Sequence, residues 1–192
     1  MTCIVGYTES GVTWLGGDSL GSNGYSKTIY NQRKVFKSQD SFELIIGMCG
    51  SFNFQGLEYE NLLEELELLK GEIDRKYLIT KFIPKLKEVV NKYNANKNDQ
   101  NMNSMQGELL FGYKDKLFKV QKDYSLLESN DKYQCAGSGE DFALGALYSM
   151  ENSELSPSEK IHKALQAASK FSAGVSAPFY IINTANDDVI RL

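Results

Sequence analysis

Apolar and polar positions follow two different periods along this chain, and the switches between them outline its elements. Residues 2–8 alternate weakly and end at Glu9-Ser10-Gly11, a turn signal, so Val12–Gly17 reads as the return strand of a hairpin. Gly16 and Gly17 before Asp18 predict a bulge or a close backbone approach. Residues 19–24 form a Gly/Ser-rich loop, and 26–30 and 34–37 are short strands. Residues 43–50 are a compact apolar strand that stops at Gly50-Ser51.

The period then becomes helical. Leu62, Leu63, Leu66 and Leu69 share one face, with Glu58, Glu64, Glu65 and Glu67 on a solvated one, and Gly71 ends the helix. A second stripe runs through Leu78, Ile79, Phe82, Leu86, Val89, Val90 and Tyr93, and Pro84 either kinks this helix or lies near its start. Residues 94–106 are polar and Asn-rich and read as an exposed loop. Strands return at 109–113 and 117–120, a hairpin about Lys114-Asp115-Lys116, at 125–127, and at 133–136 before Gly137-Ser138-Gly139. Ser138 is a candidate cap for a helix carrying Phe142, Ala146, Leu147 and Met150, with Asp141 three residues on. Ser156-Pro157-Ser158-Glu159 combines an N-cap serine, proline at the first helical position and a capping-box glutamate. Residues 179–183 and 189–191 close the chain as strands. The order is strands, two helices, strands, two helices, strands. Short connections make the sheets mainly antiparallel. Two sheets packed face to face, each covered outside by a helix pair, satisfy every apolar face: an α+β, four-layer αββα sandwich.

Composition narrows the picture. A length of 192 residues suits one domain, 1–192. A net charge of −4 argues against general binding to nucleic acid or anionic membranes, so neither is an expected partner. No apolar run is long enough to span a bilayer, and the N-terminus lacks the basic and apolar regions of a signal peptide. Cys3, Cys49 and Cys135 are an odd, widely spaced set. They fit buried thiols in a reducing cytoplasm and fit neither a disulfide framework nor a metal site.

The candidate chemistry sits at the start of the chain. Removing Met1 would leave Thr2 with a hydroxyl and a free α-amine, a nucleophile and a base on one residue. An α-amine titrates near ~7.7–8.0 in model peptides, so a useful fraction is neutral at pH 7. A neighbouring lysine enlarges that fraction by like-charge repulsion. Lys34 and Asp18 are candidates for that lysine and its orienting carboxylate. Cys3 is a rival nucleophile in principle, but adjacent strand residues face opposite ways and Met removal exposes Thr2. His162, the only histidine, lies on a surface-type helix and reads as exposed and inert, so a Ser-His-Asp triad has little support.

Met1-Thr2-Cys3-Ile4-Val5-Gly6, Gly16-Gly17-Asp18-Ser19, Lys34-Val35, Gly47-Met48-Cys49-Gly50 and Gly137-Ser138-Gly139 together resemble the proteasome β-subunit family, particularly the bacterial HslV-type peptidase. The similarity covers nearly the whole chain. It implies the αββα fold of N-terminal nucleophile hydrolases and a threonine endopeptidase. It implies Thr2 as nucleophile, Lys34 tuning its amine, Asp18 pairing with Lys34, and Gly50 giving the oxyanion N–H. Ser138 matches the serine bonded to the amine, and Ser172 a second supporting serine. Ser22 falls where the family's backbone holds a peptide as an added strand. Met48 falls near the side-chain pocket and hints at a preference for apolar residues. Ser169 stands where many β subunits carry an acid, and the HslV type lacks that acid too. Cys49 and the run Ser51-Phe52-Asn53-Phe54 are atypical.

The resemblance further implies a polypeptide substrate, homo-oligomeric stacked rings and no cofactor. The chain carries no Gly-rich ATPase motif, so folded substrates would need a separate ATPase unfoldase. Two other readings stay open. One is a small-amide hydrolase with the same nucleophile; the other is a silent ring-forming homologue that retains Met1.

Overall fold

The computed structural model describes residues 1–37, 43–56, 73–99 and 102–192, with the side chains of 97–99 and 102–103 outside the description. The expected Leu62–Leu69 stripe and its stop at Gly71 lie outside the described residues. The strands are β1 (Cys3–Glu9), β2 (Val12–Gly17), β3 (Leu20–Ser22), β4 (Lys27–Ile29), β5 (Val35–Lys37), β6 (Leu44–Gly50), β7 (Asn96–Asp99) and β8 (Met102–Met105). They continue as β9 (Gly107–Tyr113), β10 (Lys116–Val120), β11 (Leu126–Glu128), β12 (Tyr133–Gly137), β13 (Tyr180–Asn183) and β14 (Ile190–Arg191). The helices are α1 (Phe52–Gly56), α2 (Arg75–Tyr77), α3 (Ile83–Lys92), α4 (Glu140–Ser149) and α5 (Pro157–Phe171).

Two five-stranded sheets, ordered β12-β1-β2-β13-β14 and β11-β10-β9-β6-β5, pack face to face. Every pairing among the described residues is antiparallel. Strand alternation sorts the apolar side chains into three layers. Ile4, Leu15, Ile45, Leu110, Leu117 and Ile182 meet between the sheets. Cys3, Val5 and Tyr7 face the other way, under Ile161, Ala164, Leu165 and Ala168 of α5 and Ala143 and Leu147 of α4. Leu44, Ile46, Met48, Leu109 and Phe111 pack beneath Phe82, Leu86, Val89 and Val90. The expected α+β sandwich is therefore the observed architecture.

Local expectations fare unevenly. The capping box at α5 forms: Ser156 Oγ accepts from Glu159 N, and Glu159 Oε2 accepts from Ser156 N at 2.8 Å. Pro84 is accommodated at the start of α3, just after a π-helical stretch, Leu78–Phe82, that joins α2 to α3. Proline has no N–H to place in an α ladder, and the wider turn passes over that gap. Residues 94–106, expected as a loop, instead contain the β7–β8 hairpin. Residues 19–24, expected as a loop, contain β3, which pairs with β4. Ser138 does not cap α4: Gly139 holds that position without a side-chain bond, because the Ser138 hydroxyl is turned to Thr2. Among the described residues no helix is long and apolar enough to cross a membrane.

Candidate active site

Thr2 leads directly into β1, the second strand of the first sheet. β12 flanks it, Cys3 opposite Gly137, and β2 flanks its other edge, Ile4 opposite Gly17. β2 runs into Asp18, so Gly16 and Gly17 deliver a carboxylate beside the first residues. The glycines are there for closeness: a Cβ on Gly16 would meet Ile161 at 2.3 Å, and one on Gly17 would crowd Ile4 and Val35.

Asp18 is fully buried, yet each oxygen is satisfied. Oδ1 accepts from Cys3 N–H (3.0 Å) and Lys34 Nζ (2.9 Å), and Oδ2 from Leu20 N–H (3.0 Å) and Ser176 N–H (3.4 Å). A buried carboxylate needs such partners to remain charged. Lys34, just before β5, directs its ammonium to Asp18, to the Leu20 carbonyl (2.7 Å) and to Thr2 Oγ (3.0 Å). It also lies 3.4 Å from the Met1 carbonyl, so four acceptors share its three protons. Burial lowers the Lys34 pKa from the ordinary lysine value, against the opposing pull of Asp18.

Thr2 is 1% exposed. Its N–H donates to Ser138 Oγ at 3.2 Å, and its hydroxyl donates to the Met1 carbonyl at 2.6 Å. Met1 covers it, packed against Gly174. The Met1 α-amine has a lowered pKa, from burial first and from the Lys34 charge second. Ser172 does not reach Thr2. It ends α5, and its Oγ accepts from Gly174 N–H at 3.2 Å, which fixes the loop against Ser138 and Met1.

The direction of the Gly50 N–H follows from ladder alternation. Ser51 N–H donates to the Gln106 carbonyl at 3.0 Å, so Ser51 and Cys49 are the residues whose backbone groups face β9. Those of Gly50 face the other way, toward β5. Met48 N–H meets the Lys34 carbonyl there (2.9 Å), and β5 ends before any partner for Gly50. Gly50 has φ +145°, a backbone that side chains rarely adopt.

Alternation also sets the free edge of β3. Tyr30 N–H donates to the Ser19 carbonyl, which makes Gly21 the next residue bonded to β4 and turns the backbone of Leu20 and Ser22 away. The outward Leu20 groups are the ones that hold Asp18 and Lys34. Ser22 therefore offers its N–H and C=O on the same edge. Its hydroxyl accepts from Gly24 N–H.

An open cleft of about 440 Å³ begins at Thr2, with Cys49, Gly50, Gln106, Glu108 and Glu140 among its walls. A smaller hollow of about 60 Å³ lies on the Lys34 side, walled by Leu20, Tyr30, Gln32, Phe52 and Gln55. Met48 lines neither: its even register on β6 turns it outward, into the layer beneath α3. Cys3 is buried on the opposite face of β1 from Thr2, and burial raises its thiol pKa far above neutrality. Cys49 is a thiol with a pKa pushed up to about 12, by burial first. All three cysteines are free and buried. His162 is half-buried rather than exposed, edge-on to Phe179 in the outer layer. No group of metal-binding side chains occurs among the described residues.

Several groups at the site carry no sequence signal. The Leu20 carbonyl and Ser176 N–H are backbone contacts. Lys119, bound to Glu140 Oε1 and Oε2 at 2.7 and 2.8 Å and to Glu108 at 3.6 Å, comes from three separate elements. Only Glu140, directly after Gly137-Ser138-Gly139, could have been suspected.

The fold has counterparts among solved structures. The backbone superimposes on Thiobacillus denitrificans BPH, solved in complex with epoxomicin, with a TM-score of 0.78 over 94% of this chain and 97% of that one, at 18% identity. Eukaryotic HslV from Trypanosoma brucei gives 0.69 over 94% and 98%, at 14% identity. The Anbu (Gly-1) mutant from Hyphomicrobium sp. strain MC1 gives 0.68 over 100% and 86%, at 13% identity. The chain thus has the proteasome-like fold of the N-terminal nucleophile hydrolases. Neither protein-family models nor curated proteins match its sequence.

Proposed function

We propose that this chain is a threonine-type endopeptidase that becomes active when Met1 is removed. The observation that carries the reading is the 3.0 Å bond from Lys34 Nζ to Thr2 Oγ, with Asp18 behind Lys34 at 2.9 Å. In the freed protein the Thr2 α-amine takes the hydroxyl proton as Oγ attacks the substrate carbonyl. Lys34 stabilises the developing alkoxide and holds the amine's pKa down. Ser138 orients the amine from the other side. Negative charge on the tetrahedral oxygen falls to the Gly50 N–H, a donor of a kind worth on the order of 10²–10³ in rate. The amine then returns the proton to the leaving nitrogen, the C–N bond breaks, and an ester to Thr2 remains. Water, activated by the same amine, hydrolyses that ester and regenerates Thr2. No step calls for a metal or an organic cofactor.

The free backbone at Ser22 suits an extended peptide added as a strand. The hollow walled by Tyr30, Gln32, Phe52 and Gln55 would take the side chain before the scissile bond, in place of a pocket set by Met48. The open cleft favours peptides over a small-amide substrate. By the fold likeness we further infer a single domain that works in homo-oligomeric stacked rings in the cytoplasm. A separate ATPase would feed any folded substrate.

One observation favours a second reading. With Met1 in place its carbonyl takes the Thr2 hydroxyl proton, and the Thr2 nitrogen is an amide that cannot act as base. A chain that keeps Met1 is a silent structural subunit. Intact mass of natively produced protein separates the two, since the peptidase must be short by one methionine. Thr2→Ala must then abolish turnover of fluorogenic peptides without loss of fold; undiminished turnover rules the mechanism out.

A further inference from the structure

Gly50 is the least constrained kind of residue at the position that needs the most constraint, and two glutamines grip it. The peptide before Gly50 is fixed by the β6–β9 ladder at Cys49 and Glu108. The peptide after it is held twice. Gln55 Nε2 donates to the Gly50 carbonyl at 2.8 Å, and Ser51 N–H donates to the Gln106 carbonyl at 3.0 Å. Gln106 is itself anchored. Its Oε1 accepts from Ser51 Oγ at 2.7 Å, its Nε2 donates to the Asn96 carbonyl at 2.8 Å, and its N–H bonds the Ala95 carbonyl. Ser51 Oγ also accepts from Phe54 N–H, which sets the first turn of α1 and so the origin of Gln55. A Cβ on Gly50 would lie 2.4 Å from the Gln106 carbonyl oxygen, so the two segments are in tight contact.

With the planes on both sides of Gly50 fixed, its φ and ψ are fixed, and so is the direction of its N–H. We propose that Gln55 and Gln106 are positioning residues that aim the Gly50 N–H as oxyanion donor, a role that rests on the peptidase reading above. Neither glutamine reaches the reacting atoms through this clamp. Gln55 acts from the hollow beside Lys34 and Gln106 from the wall of the Thr2 cleft, so the donor is gripped from both sides of the nucleophile. Gln106 also roots the β7–β8 hairpin onto the same residue, which gives that Asn-rich stretch a place in the site.

The test uses Met1-free protein and a fluorogenic peptide. Gln55→Met keeps the length and removes the donor; Gln55→Glu places a carboxylate against the Gly50 carbonyl. Each is expected to lower kcat by about 10- to 100-fold, less than outright loss of an oxyanion donor, and kcat rather than KM is the readout because Gln55 also walls the side-chain hollow. Gln55→Glu should recover toward the wild-type rate, as a ratio at each pH, when the new carboxyl is protonated near pH ~4.3 and donates again. Gln106→Met should act in the same direction. A purely structural glutamine would lower Tm and would show no such recovery of kcat. Active wild-type protein with unchanged kcat in Gln55→Met and Gln55→Glu overturns the clamp alone. Inactive Met1-free wild-type protein overturns the peptidase reading and the catalytic role of the clamp with it.

Discussion

Lys34 and Lys119 are both buried, at 8% and 4% exposure, and both reach the surroundings of Thr2, yet they are held in opposite ways. Lys34 has one carboxylate, two backbone carbonyls and one hydroxyl as partners. Burial outweighs Asp18, and its pKa falls. Burial also works against Lys119, but the bonds to Glu140 and the charges of Glu108 and Glu140 exceed it, and its pKa rises. The Lys34 ammonium faces a hydroxyl as well as a carboxylate, and these partners do not offset its burial. The Lys119 ammonium is locked between two carboxylates that line the cleft. Burial alone therefore does not set the charge balance of a lysine; its partners do.

The largest expected difference is in turnover. Lys34→Ala should lower kcat/KM by about 10²–10⁴-fold, the span of acid–base contributions, in protein that remains folded by circular dichroism. Lys119→Met should leave turnover within about tenfold and instead cost about 1–3 kcal/mol in a urea melt, because it strips charge-assisted bonds from half-buried Glu108 and Glu140. Equal loss of activity in both variants would erase the contrast.

The pH dependences should run in opposite directions. Lys119 has a raised folded pKa, so its stabilisation is present below about pH 10.4 and is lost as pH rises through the folded value. Lys34 has a lowered folded pKa, so protonating it opposes folding, and its contribution improves as pH rises from that value toward about 10.4. Denaturation of wild type against Lys34→Met and Lys119→Met, between about pH 8 and pH 11, should show slopes of opposite sign. Peptide turnover should rise as the Thr2 amine deprotonates, near or below the ~7.7–8.0 of model peptides, and fall again as Lys34 loses its proton.

The smallest effect lies far from the cleft. Ser156→Ala removes the cap of α5 and should cost about 1 kcal/mol with turnover unchanged. A loss of turnover there would mean that α5 transmits strain to Thr2 through the Ser172–Gly174 loop.

Most of the architecture was legible because it rests on period and on punctuation. Val12–Gly17, Pro157 with its capping box, and the apolar stripe before Tyr93 each announce their element. The 94–106 stretch was not, since polar residues pair through backbone groups that carry no apolar signature. The Thr2, Asp18 and Lys34 network was legible because its chemistry is in side chains at recognisable positions. The Gly50 clamp was not, because two glutamines 51 residues apart in number act on a peptide group, and nothing local distinguishes them. Met48, where the resemblance implied a pocket position, lies one step of alternation away, on the helix-facing side of β6. Ser138 was expected both as a helix cap and, from the resemblance, as the serine at the Thr2 nitrogen; only the second contact forms.

The central claim is that the liberated first residue is the nucleophile, and the most direct measurement is where a covalent ligand attaches. Met1-free protein treated with an electrophilic peptide probe, digested and mapped by mass spectrometry, should carry the adduct on the peptide that begins at Thr2. The label should be absent from Lys34→Ala and from protein that retains Met1. An adduct on Cys49, or equal labelling with Met1 retained, would contradict the account.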